Sequence, residues 1–166
     1  MRVAAALRLS TLFFVMLCNS PALTCTLVGA GIRSKRRCLV SVPDAVLIGM
    51  RETNDLFCAK AIRSRNMDVL DRVYTSDAHI LPPGADMIQG LAGIKSFWLK
   101  AITGLDVKDA SLATVSAESA GDTVVEIGRA VLTLASGQTV PVKYVVHWKR
   151  DGETWKWHTD IWNMNQ

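Results

Sequence analysis

The stretch TVPVKYVVHWKRDGETWKWHTDIW, residues 139–162, decides the fold. It holds two runs, 139–150 and 154–162, rich in Val, Tyr, Trp and Thr and alternating in polarity. β-Branched and aromatic side chains suit a pleated, half-buried surface, and Asp151-Gly152 between the runs is a turn signal. The stretch therefore reads as a β-hairpin. Upstream, residues 112–119 and 124–134 have the same character, punctuated by Gly121-Asp122 and Ser136-Gly137. Four such strands at regular spacing predict an antiparallel meander.

Before residue 112 the apolar period changes from two to three-and-four. Ser41-Val42-Pro43-Asp44 predicts a helix start, with a hydroxyl or carboxylate cap and Pro in the first turn. Val46, Leu47, Met50, Leu56, Phe57, Ala61 and Ile62 then form one face of an amphipathic helix. Asn66-Met67-Asp68 restarts a short second helix, with Val69, Leu70, Val73 and Tyr74 inward. Residues 78–81 predict a short strand stopped by Pro82-Pro83-Gly84. Gly90 to Ile102 predicts a third helix, with Ile94, Phe97, Trp98 and Ile102 on one face. Helices first and a meander afterwards is an α+β plan, here one domain over residues 41–166.

Charge divides the chain. Its net charge is +4, but the first 43 residues hold six of the 19 Lys and Arg and no acid. The remainder carries 13 cations against 15 carboxylates, a net charge of −2. A weakly acidic domain lacks the positive field that nucleic-acid binding requires, so nucleic acid is not expected as a partner. In the leader, Arg2 and Arg8 precede an apolar run at 9–18, and small residues follow at Ser20 and Ala22. Residues 1–22 read as a signal peptide, which predicts a secreted or extracytoplasmic protein. The acid-free, Arg-containing stretch also fits a mitochondrial transit segment, and a start at Met50 would leave the domain cytoplasmic. The apolar run is too short for a stable membrane span. Residues 23–40 read as a basic linker, in which Arg33-Ser34-Lys35-Arg36 has the form of a dibasic processing site. Cys58 is the one cysteine inside the domain and reads as core, with a bridge to Cys38 left open for a secreted chain.

Several segments, in order, resemble the SnoaL-like branch of the nuclear-transport-factor-2-like superfamily. Tyr74-Thr75-Ser76-Asp77-Ala78 followed by Leu81-Pro82-Pro83-Gly84 is similar to its helix-to-strand junction. Gly90, Ile94 and Phe97-Trp98 resemble its third helix, and Gly121-Asp122 with Glu126-Ile127-Gly128 its strand-turn pattern. Residues 143–150 and 155–163 resemble its last two strands. The resemblance spans about residues 44–163 and implies a cone: a curved antiparallel sheet wrapped around three N-terminal helices. The superfamily includes ketosteroid isomerase, which uses an Asp base with a Tyr and a protonated Asp as oxyanion donors. By the resemblance those three roles fall on Pro82, Cys58 and Val146, which cannot perform them. Steroid isomerisation by that mechanism is therefore disfavoured.

Strand parity carried over from the family points Ile127, Arg129, Val131, Thr133, Tyr144, Val146, Trp148, His158, Asp160 and Trp162 into the cone. Asn54, Cys58, Ile80, Pro82, Phe97 and Trp98 join from the helical side. The resulting cavity is apolar and aromatic with a few polar groups, as small-ligand sites are. The ligand-binding candidates are Asn54, Cys58, Trp98, Arg129, Tyr144, Trp148 and Trp162. His158 and Asp160, two apart on one strand, are the candidate proton relay. Asp160 paired with Arg129, and His158 at the rim, is the structural alternative. His79 and His147 fall on the outward parity. The three histidines lack a zinc spacing, and no phosphate loop or nucleophile elbow is present, so neither metal nor cofactor is expected. Trp155 and Trp157 fall outward and suggest a homodimer face. Three readings follow: a module holding a hydrophobic or carboxylate-bearing metabolite; a cofactor-independent isomerase, cyclase, dehydratase or hydrolase using His158 and Asp160; or a dimerising association domain.

Overall fold

The structure, a computed structural model, describes residues 41–165. The signal-peptide, linker and Cys38 readings lie outside them. The order is α1 (Asp44–Leu56), a π-helical continuation (Phe57–Arg63), a 3-10 turn (Met67–Val69) leading into α2 (Leu70–Val73), β1 (Tyr74–Leu81), β2 (Ile88–Gln89), α3 (Leu91–Gly104), β3 (Val107–Ala120), β4 (Thr123–Leu134), β5 (Thr139–Asp151) and β6 (Thr154–Met164). Three helical segments precede the long meander, as an α+β cone requires. Among the described residues no helix is long and apolar enough to cross a membrane.

Pro43 is the N-cap of α1; its carbonyl accepts from Val46 at 2.9 Å and Leu47 at 3.2 Å. No side chain caps this end, because the ring of Pro43 carries no acceptor; Ser41, two residues earlier, forms a bridge with Glu118 of β3. The Asn66 side chain does cap the next segment, accepting from the Asp68 amide at 3.1 Å.

The six strands form one sheet in the order β2-β1-β6-β5-β4-β3, curved and unclosed. It is not wholly antiparallel, since β1 runs parallel to β6. That pairing follows from the chain path: β1 precedes α3, and the last strand returns beside it. β1 is also longer than the expected 78–81, because Tyr74 and its neighbours continue the chain straight from α2 into the sheet.

The helices cover the concave face. Trp148, Tyr74, Met50, Ile62, Leu70, Ile80, Ile94 and Val146 are among the side chains buried almost completely there. Burying a large apolar side chain contributes about 1.5–3 kcal/mol, so this layer holds sheet and helices together.

Two register features decide which side chains enter the cone. On β4 the buried positions are Val124, Glu126, Gly128 and Ala130. Ile127 and Val131 are instead 49% and 40% exposed, and Arg129 shares their outward parity. The second feature is a bulge in β6. His147 pairs with Thr159 while Trp148 pairs with Trp157, so His158 is an extra residue. One extra residue exchanges the faces of a strand. Trp157 therefore points inward on one side of the bulge, and Asp160 and Trp162 point inward on the other. Trp155 is half-buried beneath α1, where Gly49 leaves it room. Trp155 and Trp157 therefore do not form an outer face of exposed indoles.

Candidate functional site

The cone encloses a cavity of about 170 Å³. Its wall is built from α3 (Phe97, Trp98, Ala101, Ile102), the π-helical turn (Phe57, Ile62) and the inner faces of β3 to β6. Asp160 and Tyr144 are the polar-tipped inner-sheet residues on this wall, with Trp98, Trp157 and Trp162 beside them. Asp160 and Trp157 are deeply buried, whereas Leu105 and Met164 are 46% and 44% exposed. The carboxyl therefore lies deep, and the opening is near Leu105 and Met164.

A chain of hydrogen bonds fixes the carboxyl. Trp98 Nε1 donates to Tyr74 Oη at 3.0 Å, and Tyr74 Oη donates to Asp160 Oδ2 at 2.8 Å. The chain joins α3, the first residue of β1 and the middle of β6. Burial pushes the Asp160 carboxyl from 3.8 up to about 7; the Tyr74 hydrogen bond pulls it down, and the nearby Glu126 charge raises it. Burial, reinforced by Asp160, holds the Tyr74 phenol far above its ordinary range, so it stays a donor.

Glu126 is a second interior carboxyl, with 0% exposure. Thr114 Oγ1 donates to its Oε1 at 2.6 Å, Tyr144 Oη to the same atom at 3.0 Å, and Trp148 Nε1 to Oε2 at 2.9 Å. Three neutral donors thus satisfy it without a cation. Tyr144 lies between Glu126 and the cavity, and its phenol is raised by burial and then by the Glu126 charge. Gly128, directly opposite Tyr144, makes this possible, since a Cβ there would overlap the Tyr144 ring.

Of the residues the sequence nominated, Trp98, Tyr144, Asp160 and Trp162 meet at the cavity. Trp98 and Trp162 stack with centroids 5.1 Å apart. Asn54 is buried but occupied, accepting from Trp157 Nε1 at 3.1 Å. Cys58 is buried in the π-helical turn, its thiol pushed up to about 11 by burial. Trp148 is committed to Glu126, and Val146 is core. Pro82 does border the cavity, though it carries no proton to exchange.

Three placements correct the sequence reading. Arg129 lies outside the cone, because the β4 parity is reversed, and it does not meet Asp160. His158 also lies outside, because the bulge turns it away from Asp160. Its Nδ1 is 2.9 Å from Thr75 Oγ1 and 3.5 Å from Asp77 Oδ1, and its ring lies 5.6 Å from that of His147 and 6.2 Å from that of His79. Burial and then the Lys149 charge lower its pKa. Ile127 and Val131 join Arg129 outside. Tyr74 and Glu126 were not nominated. Among the described residues no group of His, Cys, Asp and Glu is arranged to hold a metal ion, the histidine row included.

The fold recurs in solved structures. An NTF2-like protein of unknown function from Pseudomonas putida superposes with a TM-score of 0.58 at 16% identity, over 73% of this chain and 87% of that one. A protein of unknown function from Mycobacterium tuberculosis gives 0.60 at 16% identity, over 72% of each chain. The hexachlorocyclohexane dehydrochlorinase LinA type 2 gives 0.53 at 17% identity, over 74% of this chain and 85% of its own. No curated protein matches the sequence. Residues 55–158 match the SnoaL-like domain, which includes most of the helical layer and nearly the whole meander, and the chain therefore belongs to the SnoaL-like domain family.

Proposed function

We propose that the cone holds a small, predominantly apolar molecule. The observation that carries this is a cavity of about 170 Å³ walled by aromatic and aliphatic side chains around one carboxyl. An apolar cavity of roughly 150 Å³ is large enough for benzene, so the occupant has one ring with a short substituent. The related fold named as a hexachlorocyclohexane dehydrochlorinase also takes a ring-sized compound by its name. A carboxylate-bearing ligand is not supported, because no Lys, Arg or His among the described residues borders the cavity. A His158–Asp160 relay is not supported either, since the two lie on opposite faces of the sheet. The test is an NMR titration with benzyl alcohol, following the indole N–H signals of Trp98 and Trp162. Saturable shifts are expected in the native protein, and none in Ala130→Leu, whose added atoms fill the cavity. Indole signals that do not respond in the native protein would contradict the reading.

The outer sheet face supports a second proposal, a homodimer. Ile127 lies opposite Val145, and Val145 opposite Ile161, giving an apolar row across three strands. All three are more than a third exposed. This row takes the place that the sequence suggested for Trp155 and Trp157. Lysine at its centre would set two like charges against each other across a two-fold axis. Val145→Lys is expected to weaken self-association by about tenfold or more in sedimentation velocity, with an unchanged circular dichroism spectrum. Native protein that stays monomeric at about 100 µM, a concentration at which even a micromolar dimer would form, would remove the dimer.

A further inference from the structure

The inside of the cone is electrically one-sided. Asp160 borders the cavity, and Glu126 lies one side chain behind it. The donors to both carboxyls are neutral: Tyr74 for the first, and Thr114, Tyr144 and Trp148 for the second. Among the described residues no Lys, Arg or His lines the cavity. Asp160 Oδ2 accepts from Tyr74, whereas no side-chain donor among the described residues meets Oδ1. No fully buried side-chain oxygen among the described residues lacks a partner, so Oδ1 keeps accessible surface, and in an apolar cavity such an oxygen favours a cationic or donating partner.

The wall adds a second attraction for positive charge. Phe57, Phe97, Trp98, Trp157 and Trp162 surround the same space, with Trp98 and Trp162 stacked and tilted by 22°. Aromatic faces carry negative potential and attract ammonium groups, tryptophan most strongly. A carboxyl at the deep end and aromatic rings along the sides together match an amine borne on an apolar ring.

We propose that the cavity selects a small protonated amine, its apolar ring against the aromatic wall and its ammonium on Asp160. This rests on the cavity-binding reading and names the ligand class for that site. It also links binding to pH. The groups facing Asp160 are Tyr74 from β1, Tyr144 from β5, Glu126 from β4 and, behind Tyr144, Cys58 of the π-helical turn. The two phenols and the thiol are all raised by burial and stay neutral at neutral pH. The ammonium binds the ionised carboxylate, so affinity is full above the carboxyl's midpoint of about 7 and falls as pH drops through it.

Benzylamine, benzyl alcohol and benzoate share one ring and differ in charge, and the amine stays protonated across the neutral and mildly acidic range. Isothermal titration of the full chain is expected to show benzylamine binding at least about tenfold tighter than benzyl alcohol at pH 8, with no benzoate binding. Benzylamine affinity should fall as pH drops through about 7 and level off at the value it has in Asp160→Asn, while benzyl alcohol affinity stays flat. In Asp160→Asn the amine-to-alcohol preference should fall at least several-fold, leaving only what the aromatic wall supplies, and lose its pH dependence. Benzyl alcohol binding as tightly as benzylamine at pH 8 overturns the inference and leaves the cavity-binding reading standing. A pH dependence that survives in Asp160→Asn also overturns it, since the dependence would then not come from Asp160. Failure of all three compounds overturns both readings.

Discussion

Glu126→Ala is expected to lower the stability of the domain by about 3–5 kcal/mol, the largest effect of any single substitution in the sheet. The carboxylate is inaccessible to water and accepts from Thr114, Tyr144 and Trp148. Its removal orphans two buried donors, Tyr144 and Trp148, each costing about 1–3 kcal/mol if unpaired, while the exposed Thr114 hydroxyl can turn to water. It also opens a void beside Tyr144, which adds a packing penalty. Against these stands relief from burying a carboxyl, so the net falls below the sum. Glu126→Gln keeps the shape but points an amide N–H toward a donor, and should cost about 1–3 kcal/mol. Urea unfolding at pH 7 measures both. A midpoint for Glu126→Ala within error of the native protein would show that the network does not hold the sheet.

Asp160→Asn should change how stability depends on pH more than any other substitution. The carboxyl has a midpoint of about 7 when folded against 3.8 ordinarily. The folded state therefore holds a proton that the unfolded state has released between those values. Stability is greatest below the unfolded midpoint, falls as pH rises through the window, and levels off above 7. A shift of about three pH units corresponds to about 4 kcal/mol. Asparagine keeps a neutral polar group and removes the titration. The stability of Asp160→Asn relative to native should therefore rise by about 4 kcal/mol from pH 4 to pH 8, other carboxyls cancelling in the comparison. Parallel stability curves for the two proteins would place Asp160 in water rather than in the cone.

The architecture was legible because its signals are long. After α3 the period stays at two to the end of the chain's meander, and the Gly-containing turns at 121, 137 and 152 all sit at positive φ, where glycine is favoured. The site was legible only in part because parity is a local property that one residue can reverse. Nothing in WKWHTDIW marks His158 as an extra residue; the bulge follows from matching β6 to β1 and β5 together. On β4 both faces carry valines, and the inner one includes Glu126 and Gly128, so hydrophobicity alone favours the wrong side. Gly128 was the available clue. A glycine within a strand often marks the close approach of another group, here the Tyr144 ring. Tyr74 reads as core, and it is buried, but the role of its hydroxyl depends on contacts with Trp98 and Asp160, distant in sequence.

The central claim is that the curled sheet brings one ionisable carboxyl, Asp160, to the wall of an apolar cavity. Carbon-13 NMR of the side-chain carboxyl of Asp160, followed from acid to mildly alkaline pH, tests this most directly. The structure predicts a midpoint near 7, set by burial against the Tyr74 hydrogen bond. A midpoint near the ordinary 3.8 would mean that the carboxyl is hydrated and that the cone is not closed around it.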